Sequence, residues 1–246
     1  MELSGNTILI TGGASGIGLA FGERFLAAGN EVIVCGRRAE RLEELKENYP
    51  HIHTRVADVG EESSRIELYD WAASLFPNLN VLVNNAGIQR RVRLDEREDW
   101  AATRQEIAIN LEAPIHLSRL FITLLRRQRR SAIINVTSGL SFVPLANVPV
   151  YCATKAALHS FTLSLRHQLA ETPIEVIEII PPAVDTDLGG VGLHTFGVNL
   201  DEFADAIFAG LRNGETEIAY GTAAVSSRAT CEELDEIFVH LNRQFG

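Results

Sequence analysis

Thr7-Ile8-Leu9-Ile10, followed by Thr11-Gly12-Gly13-Ala14-Ser15-Gly16-Ile17-Gly18, is the stretch that decides the fold. The apolar, largely β-branched run reads as a buried strand, and the periodicity from Gly16 to Ala28, closed by Gly29, as a helix. Glycines at such a junction allow a tight turn, close approach of a pyrophosphate and close helix–strand packing. The helix N-terminus beyond them offers unpaired N–H groups and a positive dipole end to phosphates. Glycines also make ordinary turns, so the placement between this strand and this helix is what gives the motif its weight. Gly12, Ser15, Gly16, Ile17 and Gly18 are the candidate contacts to a dinucleotide.

Outward from this unit the same alternation repeats. Strands are expected at Glu31–Cys35, Ile52–Val56, Val81–Val83, Ala132–Val136, Ile174–Ile180 and Thr216–Tyr220. Helices are expected at Ala39–Asn48, at Glu61–Phe76, up to Arg130, and at Tyr151–Ala170, Leu200–Leu211 and Ser226–Arg243. Strands lacking polar alternation are covered on both faces, and strand–helix alternation builds parallel βαβ units with right-handed crossovers. The expected fold is α/β, a single-domain, Rossmann-type doubly wound parallel sheet flanked by helices over residues 1–246. No linker or internal repeat divides it.

Composition agrees. The chain has 246 residues, 46% of them hydrophobic and 22% charged, with a mean hydropathy of +0.06, which suits a folded globular protein. Its 22 basic and 32 acidic residues give a net charge of −10, against a nucleic-acid partner, which needs a basic face. Cys35, Cys152 and Cys231 form neither a disulfide framework nor a zinc pattern and suit a reducing compartment. The start, Met1-Glu2-Leu3-Ser4-Gly5, carries no secretory pattern, and apolar runs fall short of the ~20 residues that cross a bilayer. A cytoplasmic protein with no membrane partner is expected.

The second strand of a dinucleotide fold often ends in an acid that binds the adenosine ribose of NAD. Here Gly36, Arg37 and Arg38 stand there. A guanidinium suits a 2′-phosphate, so NADP(H) is expected in preference to NAD(H). The plainer alternative is that Arg38 and Arg41 solvate the start of a charged helix. Asp58 and Val59, after the third strand, are placed at the adenine; Asp58 could equally cap the helix near Glu61. Asn84-Asn85-Ala86-Gly87 closes the fourth strand beside the topological switch, where it lines the cofactor groove and braces the sheet.

Tyr151 and Lys155 are four residues apart on one helical face. A phenol of pKa about 10 is a poor acid–base catalyst at neutral pH, and a neighbouring ammonium lowers it. Tyr-x-x-x-Lys recurs by accident on helices; Thr137-Ser138-Gly139 at the end of the fifth strand gives it company.

Together with Asn110, these motifs resemble the short-chain dehydrogenase/reductase family over essentially the whole chain, in its branch of about 250 residues. The resemblance implies that Tyr151 is the general acid/base, that Ser138 bonds the substrate oxygen, and that Lys155 anchors the nicotinamide ribose and lowers the tyrosine pKa. Asn110 would hold a water-linked proton relay. Pro181, Val184 and Thr186 would meet the nicotinamide, although Pro182 stands where the family commonly has glycine. A mobile substrate lid is expected over about 186–199, with His194 and Phe196 packing it or meeting substrate. The Pro181-Pro182-Ala183-Val184 and Leu193-His194-Thr195-Phe196-Gly197 stretches also resemble a bacterial DltE-like branch of the family. The implied substrate is a small carbonyl or alcohol, and Arg90, Arg91 and Arg93 beside the mouth raise the option of an anionic one.

A non-catalytic dinucleotide sensor on the same fold is the alternative, and intact Asn110, Ser138, Tyr151 and Lys155 weigh against it. Apolar residues on the helix after the fourth strand (Ile107, Leu111, Ile115, Leu117, Leu120, Phe121, Leu124) exceed what one sheet-facing stripe needs. So do Leu158, Phe161, Leu165 and Leu169 on the Tyr151 helix. A homodimer or homotetramer is expected.

Overall fold

The computed structural model describes residues 1–96 and 99–245; Arg97, Glu98 and Gly246 lie outside it. Seven parallel strands form one sheet in the order β3-β2-β1-β4-β5-β6-β7. They are β1 (Thr7–Thr11), β2 (Glu31–Gly36), β3 (His53–Val56), β4 (Val81–Asn84), β5 (Ser131–Val136), β6 (Ile174–Ile180) and β7 (Glu217–Ala219). The order reverses between β1 and β4, which opens the crevice at their carboxyl ends.

Alternate strand residues feed two cores, as the period-two geometry requires. Ile8, Ile10, Val32 and Val34 point into one, which is closed by α1 (Gly16–Ala27), α2 (Ala39–Asn48) and α7 (Leu200–Arg212). Phe21 and Phe25 of α1 meet Phe203 and Phe208 of α7 there. Leu9, Ile33 and Leu82 point into the other, beneath α3 (Glu62–Leu75), α5 (Ala113–Leu125) and α6 (Pro149–Gln168). Burial on both faces explains the unbroken apolar strands.

Several expectations need correction. The helix expected to reach Arg130 begins with α4 (Trp100–Ile107), widens into a π turn at Ala108–Glu112 and ends with α5 at Leu125. The arginines beyond it lie in turns, and Arg130 pairs with Glu2. The last helix, expected from Ser226, starts instead at Cys231 as α9 (Cys231–Phe245), where Thr230 caps it by accepting from Glu233 N–H, and a short α8 (Thr222–Ser226) precedes it. Trp100–Leu125 reaches the length and mean hydropathy (1.2) of a membrane span, although no uninterrupted apolar run within it does. Its Leu117, Phe121 and Leu125 are packed in the second core, as in a core helix. Leu117, Phe121, Leu124, Leu158, Leu165 and Leu169 are buried by their own chain, so the apolar excess is narrower than the sequence suggests.

Candidate active site

The glycine-rich turn is built by close backbone contacts. Gly12 has φ +65°, and a Cβ there would lie 2.9 Å from Ala86 Cα. A Cβ on Gly18 would lie 2.4 Å from Asn85 Nδ2 and 2.6 Å from the Gly12 carbonyl. Asn85 Nδ2 donates to the Thr11 and Gly12 carbonyls, while Thr11 Oγ1 accepts from the N–H groups of Asn85 and Ala86. The Asn-Asn-Ala-Gly motif therefore braces the turn directly. Asn84 Nδ2 donates to Asn135 Oδ1 at 2.9 Å, and Asn135 Nδ2 to Thr162 Oγ1 at 2.9 Å. This buried polar ladder was not foreseen from the sequence.

Ser15 precedes α1 without capping it; its Oγ accepts from Arg38 at 3.1 Å. Arg38 thus does more than solvate α2: it brings a guanidinium to the uncapped N–H groups of α1. Arg37 lies 3.9 Å from Asp58 Oδ2 and is half-exposed. Asp58 Oδ1 accepts from Gly60 N–H, making a local turn instead of capping α3, and the Val59 carbonyl accepts from the buried Arg65. Thr186 sits over α1, its Cγ2 3.4 Å from where a Cβ on Gly16 would be. Amide donors at a helix N-terminus, with the Arg38 guanidinium beside Ser15 and glycine walls, fit the phosphates of a dinucleotide.

The second cluster stands at the carboxyl end of β5. Ser138 is 6% exposed and starts the tight Gly139–Ser141 turn, its Oγ accepting from Leu140 N–H at 3.1 Å. Ser138 also acts on Tyr151, pulling its phenol pKa down against the effect of burial. Tyr151 and Lys155 project from the first turns of α6, both buried, with Lys155 Nζ 5.7 Å from the phenol ring centre and donating to the Val136 carbonyl at 2.8 Å. Gly87 packs between Lys155 and Asn110: a Cβ there would lie 3.5 Å from Asn110 Oδ1 and 3.7 Å from Lys155 Nζ. The cofactor loop and the Tyr/Lys helix thus meet at one point.

Electrostatics correct the expectation for this pair. Burial pushes the Tyr151 phenol above its ordinary value, with Ser138 opposing, and pulls Lys155 down to about 8. Both shifts have desolvation as the main cause. Asn110, fully buried in the π turn, accepts from Ile88 N–H and donates to the Ile88 carbonyl and Thr154 Oγ1. Its side chain ties the π turn to the segment after Gly87.

Pro181 follows β6 directly, and its carbonyl accepts from Gly139 N–H at 2.8 Å, joining the end of β6 to the Ser138 turn. Val184 is buried and bridges Val198, clasping the two ends of the expected lid. Leu188 packs on the Val148–Tyr151–Cys152 cluster, and Phe196 stacks on Phe245 of α9, ring centres 5.1 Å apart. Asn242 of α9 accepts from Ala146 N–H and donates to the Pro144 carbonyl, so α9 is tied to the loop before α6. Arg90 is bound by the Ala102 carbonyl and Gln105, and Arg93 by Asp95 and Glu96. Arg91 is exposed, and its charge adds to burial in holding His194 below the ordinary histidine value. Among the described residues no His/Cys/Asp/Glu group could hold a metal ion.

A doubly wound sheet with a glycine turn at its switch point defines a dinucleotide-binding α/β protein, and the comparisons place it more closely. Residues 6–191 match the short chain dehydrogenase family, to which the chain belongs. It is 48% identical to the uncharacterised oxidoreductase DltE of Bacillus subtilis (strain 168), covering 99% of each chain. It is 32% identical to the NADP-dependent 3-hydroxy acid dehydrogenase YdfG of Escherichia coli (strain K12), over 72% of each. A crystal structure of a short chain dehydrogenase from Burkholderia cenocepacia J2315 in complex with NADP superposes with a TM-score of 0.83 at 26% identity, covering 98% of this chain and 99% of that one. The protein is a short-chain oxidoreductase.

Proposed function

We propose that the protein is an NADP(H)-dependent oxidoreductase acting between a small carbonyl compound and the corresponding alcohol. The observation that carries this reading is the meeting of Ser138, Tyr151, Lys155 and Asn110 with Gly87 of the cofactor loop. The bound nicotinamide would supply or take up the hydride. The chain's own residues do the rest. Burial holds Tyr151 as the neutral phenol, the form that gives a proton to a carbonyl oxygen undergoing reduction. The Ser138 hydroxyl, anchored by Leu140 N–H, donates to that same oxygen and sets its direction.

Lys155 would hold the nicotinamide ribose and set the charge around Tyr151. Asn110 would hold the water-linked relay behind Lys155, fixed in place by Ile88 and Thr154. Pro181, Val184 and Thr186 wall the nicotinamide end; Gly12, Ser15, Gly16, Ile17 and Gly18 take the pyrophosphate, and Asp58 and Val59 the adenine. Arg37 and Arg38 support the 2′-phosphate. So do the NADP-dependent Escherichia coli relative and the NADP complex from Burkholderia. Three cysteines without a disulfide suit a cytoplasmic setting.

The test is consumption of NADPH against a panel of ketones, aldehydes and diketones. Tyr151→Phe is expected to keep the fold and NADPH affinity while lowering kcat by about 10²–10⁴-fold, the usual worth of a positioned acid or base. Near-normal turnover of the phenylalanine variant would remove Tyr151 as proton donor.

A further inference from the structure

The three residues that lead into the catalytic turn are each held from a different direction. Val136 gives its carbonyl to Lys155, and Ser138 accepts from Leu140 N–H. Between them Thr137 donates its hydroxyl to Glu178 Oε1 at 2.7 Å. Glu178 lies in β6 and is 0% exposed. A carboxylate at that depth is costly unless hydrogen-bonded and paired with opposite charge. His159 Nδ1 supplies both, at 2.9 Å from Oε1 and 3.0 Å from Oε2. His159 stands one turn beyond Lys155 on the same face of α6. Its ring also meets Phe142, at the end of the Ser138 turn, with centres 4.7 Å apart.

We propose that Glu178, held by His159, is a positioning residue for this active site, fixing Thr137 and through it the direction of the Ser138 hydroxyl. The proposal rests on the reading of Ser138 as the substrate-oxygen donor. One buried carboxylate joins β5, β6 and α6 at the point where all three reach the site. No part of the triad needs to touch substrate.

The arrangement makes the site sensitive to pH. Glu178 and, from β7, Glu217 favour the imidazolium; partial burial and Arg166 of the same helix oppose it. The carboxylate prevails and holds His159 above the ordinary histidine value. As pH rises through that raised value the positive charge is lost, and Glu178 keeps only neutral donors. The hold on Thr137 weakens, and kcat gains an alkaline step from His159 beside the one that loss of the Lys155 charge near pH 8 produces.

The experiment compares the wild type with Glu178→Gln, Thr137→Val, Thr137→Ser and His159→Asn. It reads kcat and KM on a carbonyl compound the wild type reduces, NADPH affinity by fluorescence, and hydrogen exchange of the 136–142 segment. Glu178→Gln and Thr137→Val are expected to lose about tenfold in kcat, with KM and NADPH affinity within about twofold. Thr137→Ser, which restores the hydroxyl, is expected to recover the rate. His159→Asn keeps an N–H near the Nδ1 position without the charge, and is expected to remove the His159 step while the Lys155 one remains. Unchanged kcat in Thr137→Val overturns the proposal. So does a loss of NADPH affinity and thermal stability in proportion to kcat, which would make the triad merely structural. A wild type that reduces nothing in the panel fails the functional reading by itself. Exchange then decides the positioning role: loosening confined to 136–142 in Glu178→Gln and Thr137→Val supports it, and unchanged or chain-wide exchange overturns it.

Discussion

Lys155 carries its charge into a nearly dry site, 3% exposed, with the Val136 carbonyl as its hydrogen-bond acceptor. Its folded pKa of about 8 lies below the ordinary 10.5, so the folded state binds its proton less tightly than the unfolded one. The penalty is present in full below about pH 8 and is relieved as pH rises from there toward 10.5. Lys155→Met is therefore expected to abolish turnover yet raise the cofactor-free Tm at pH 7 by roughly 2–4 °C per kcal/mol released. The gain is expected to shrink steadily between pH 8 and 10.5. A scanning calorimetry series with a gain independent of pH would refute the assignment. At the other end of the site, Arg38 bonds Ser15 while Arg37 is only loosely paired with Asp58. Replacing both by alanine is expected to weaken NADPH by about 10–100-fold, as loss of charge-assisted phosphate contacts would. NADH should be little affected. Equal losses for both cofactors in a fluorescence titration would take the 2′-phosphate away from this pair.

At the scale of elements, α1 can approach β4 closely only because Gly18 has no side chain. A methyl group there meets Asn85 Nδ2 and the Gly12 carbonyl, and backbone has little room to yield. Gly18→Ala is expected to lower stability by about 1–3 kcal/mol, the usual cost of overpacking, and to weaken NADPH as the turn shifts. Urea denaturation with an unchanged midpoint would count against that view. This junction was legible in the sequence because its constraints are local: a strand, a glycine turn and a helix succeed one another within a few residues. Tyr151 and Lys155 were legible for the same reason. The π turn at Ala108–Glu112 was not, because its residues carry ordinary helical periodicity, and the widened turn is set by Asn110 bonding Ile88. Glu178 was not legible either. In Ile174-Glu175-Val176-Ile177-Glu178 the two glutamates look alike, yet Glu175 is exposed and Glu178 is buried against His159. A partner brought by the fold separates them. The direction of the Tyr151 shift was missed because spacing shows the ammonium nearby and says nothing of the burial that outweighs it.

At the scale of the whole molecule, the question is which apolar surface the chain leaves for a second copy. Its own core takes Leu117, Phe121 and Leu124. Ile107, Leu111 and Ile115, spaced by four residues along α4, the π turn and α5, remain half-buried, as do Leu120 and Phe161. Leu163 on α6 is 43% exposed. An apolar strip of this kind on two helices can be covered by the same strip from an identical chain, because a two-fold contact is self-complementary. A net charge of −10 on each chain opposes the approach at low ionic strength, and salt screens that repulsion without weakening apolar contact. At least a homodimer is therefore expected at micromolar concentration, with a mass twice the 27.0 kDa of one chain, holding or tightening as salt is raised. Ile115→Glu places a charge within the strip and is expected to shift the mass to that of one chain while leaving the Tyr151 cluster in place. Light scattering that gives a single-chain mass for the wild type, or an unchanged dimer for Ile115→Glu, would move the interface away from these helices.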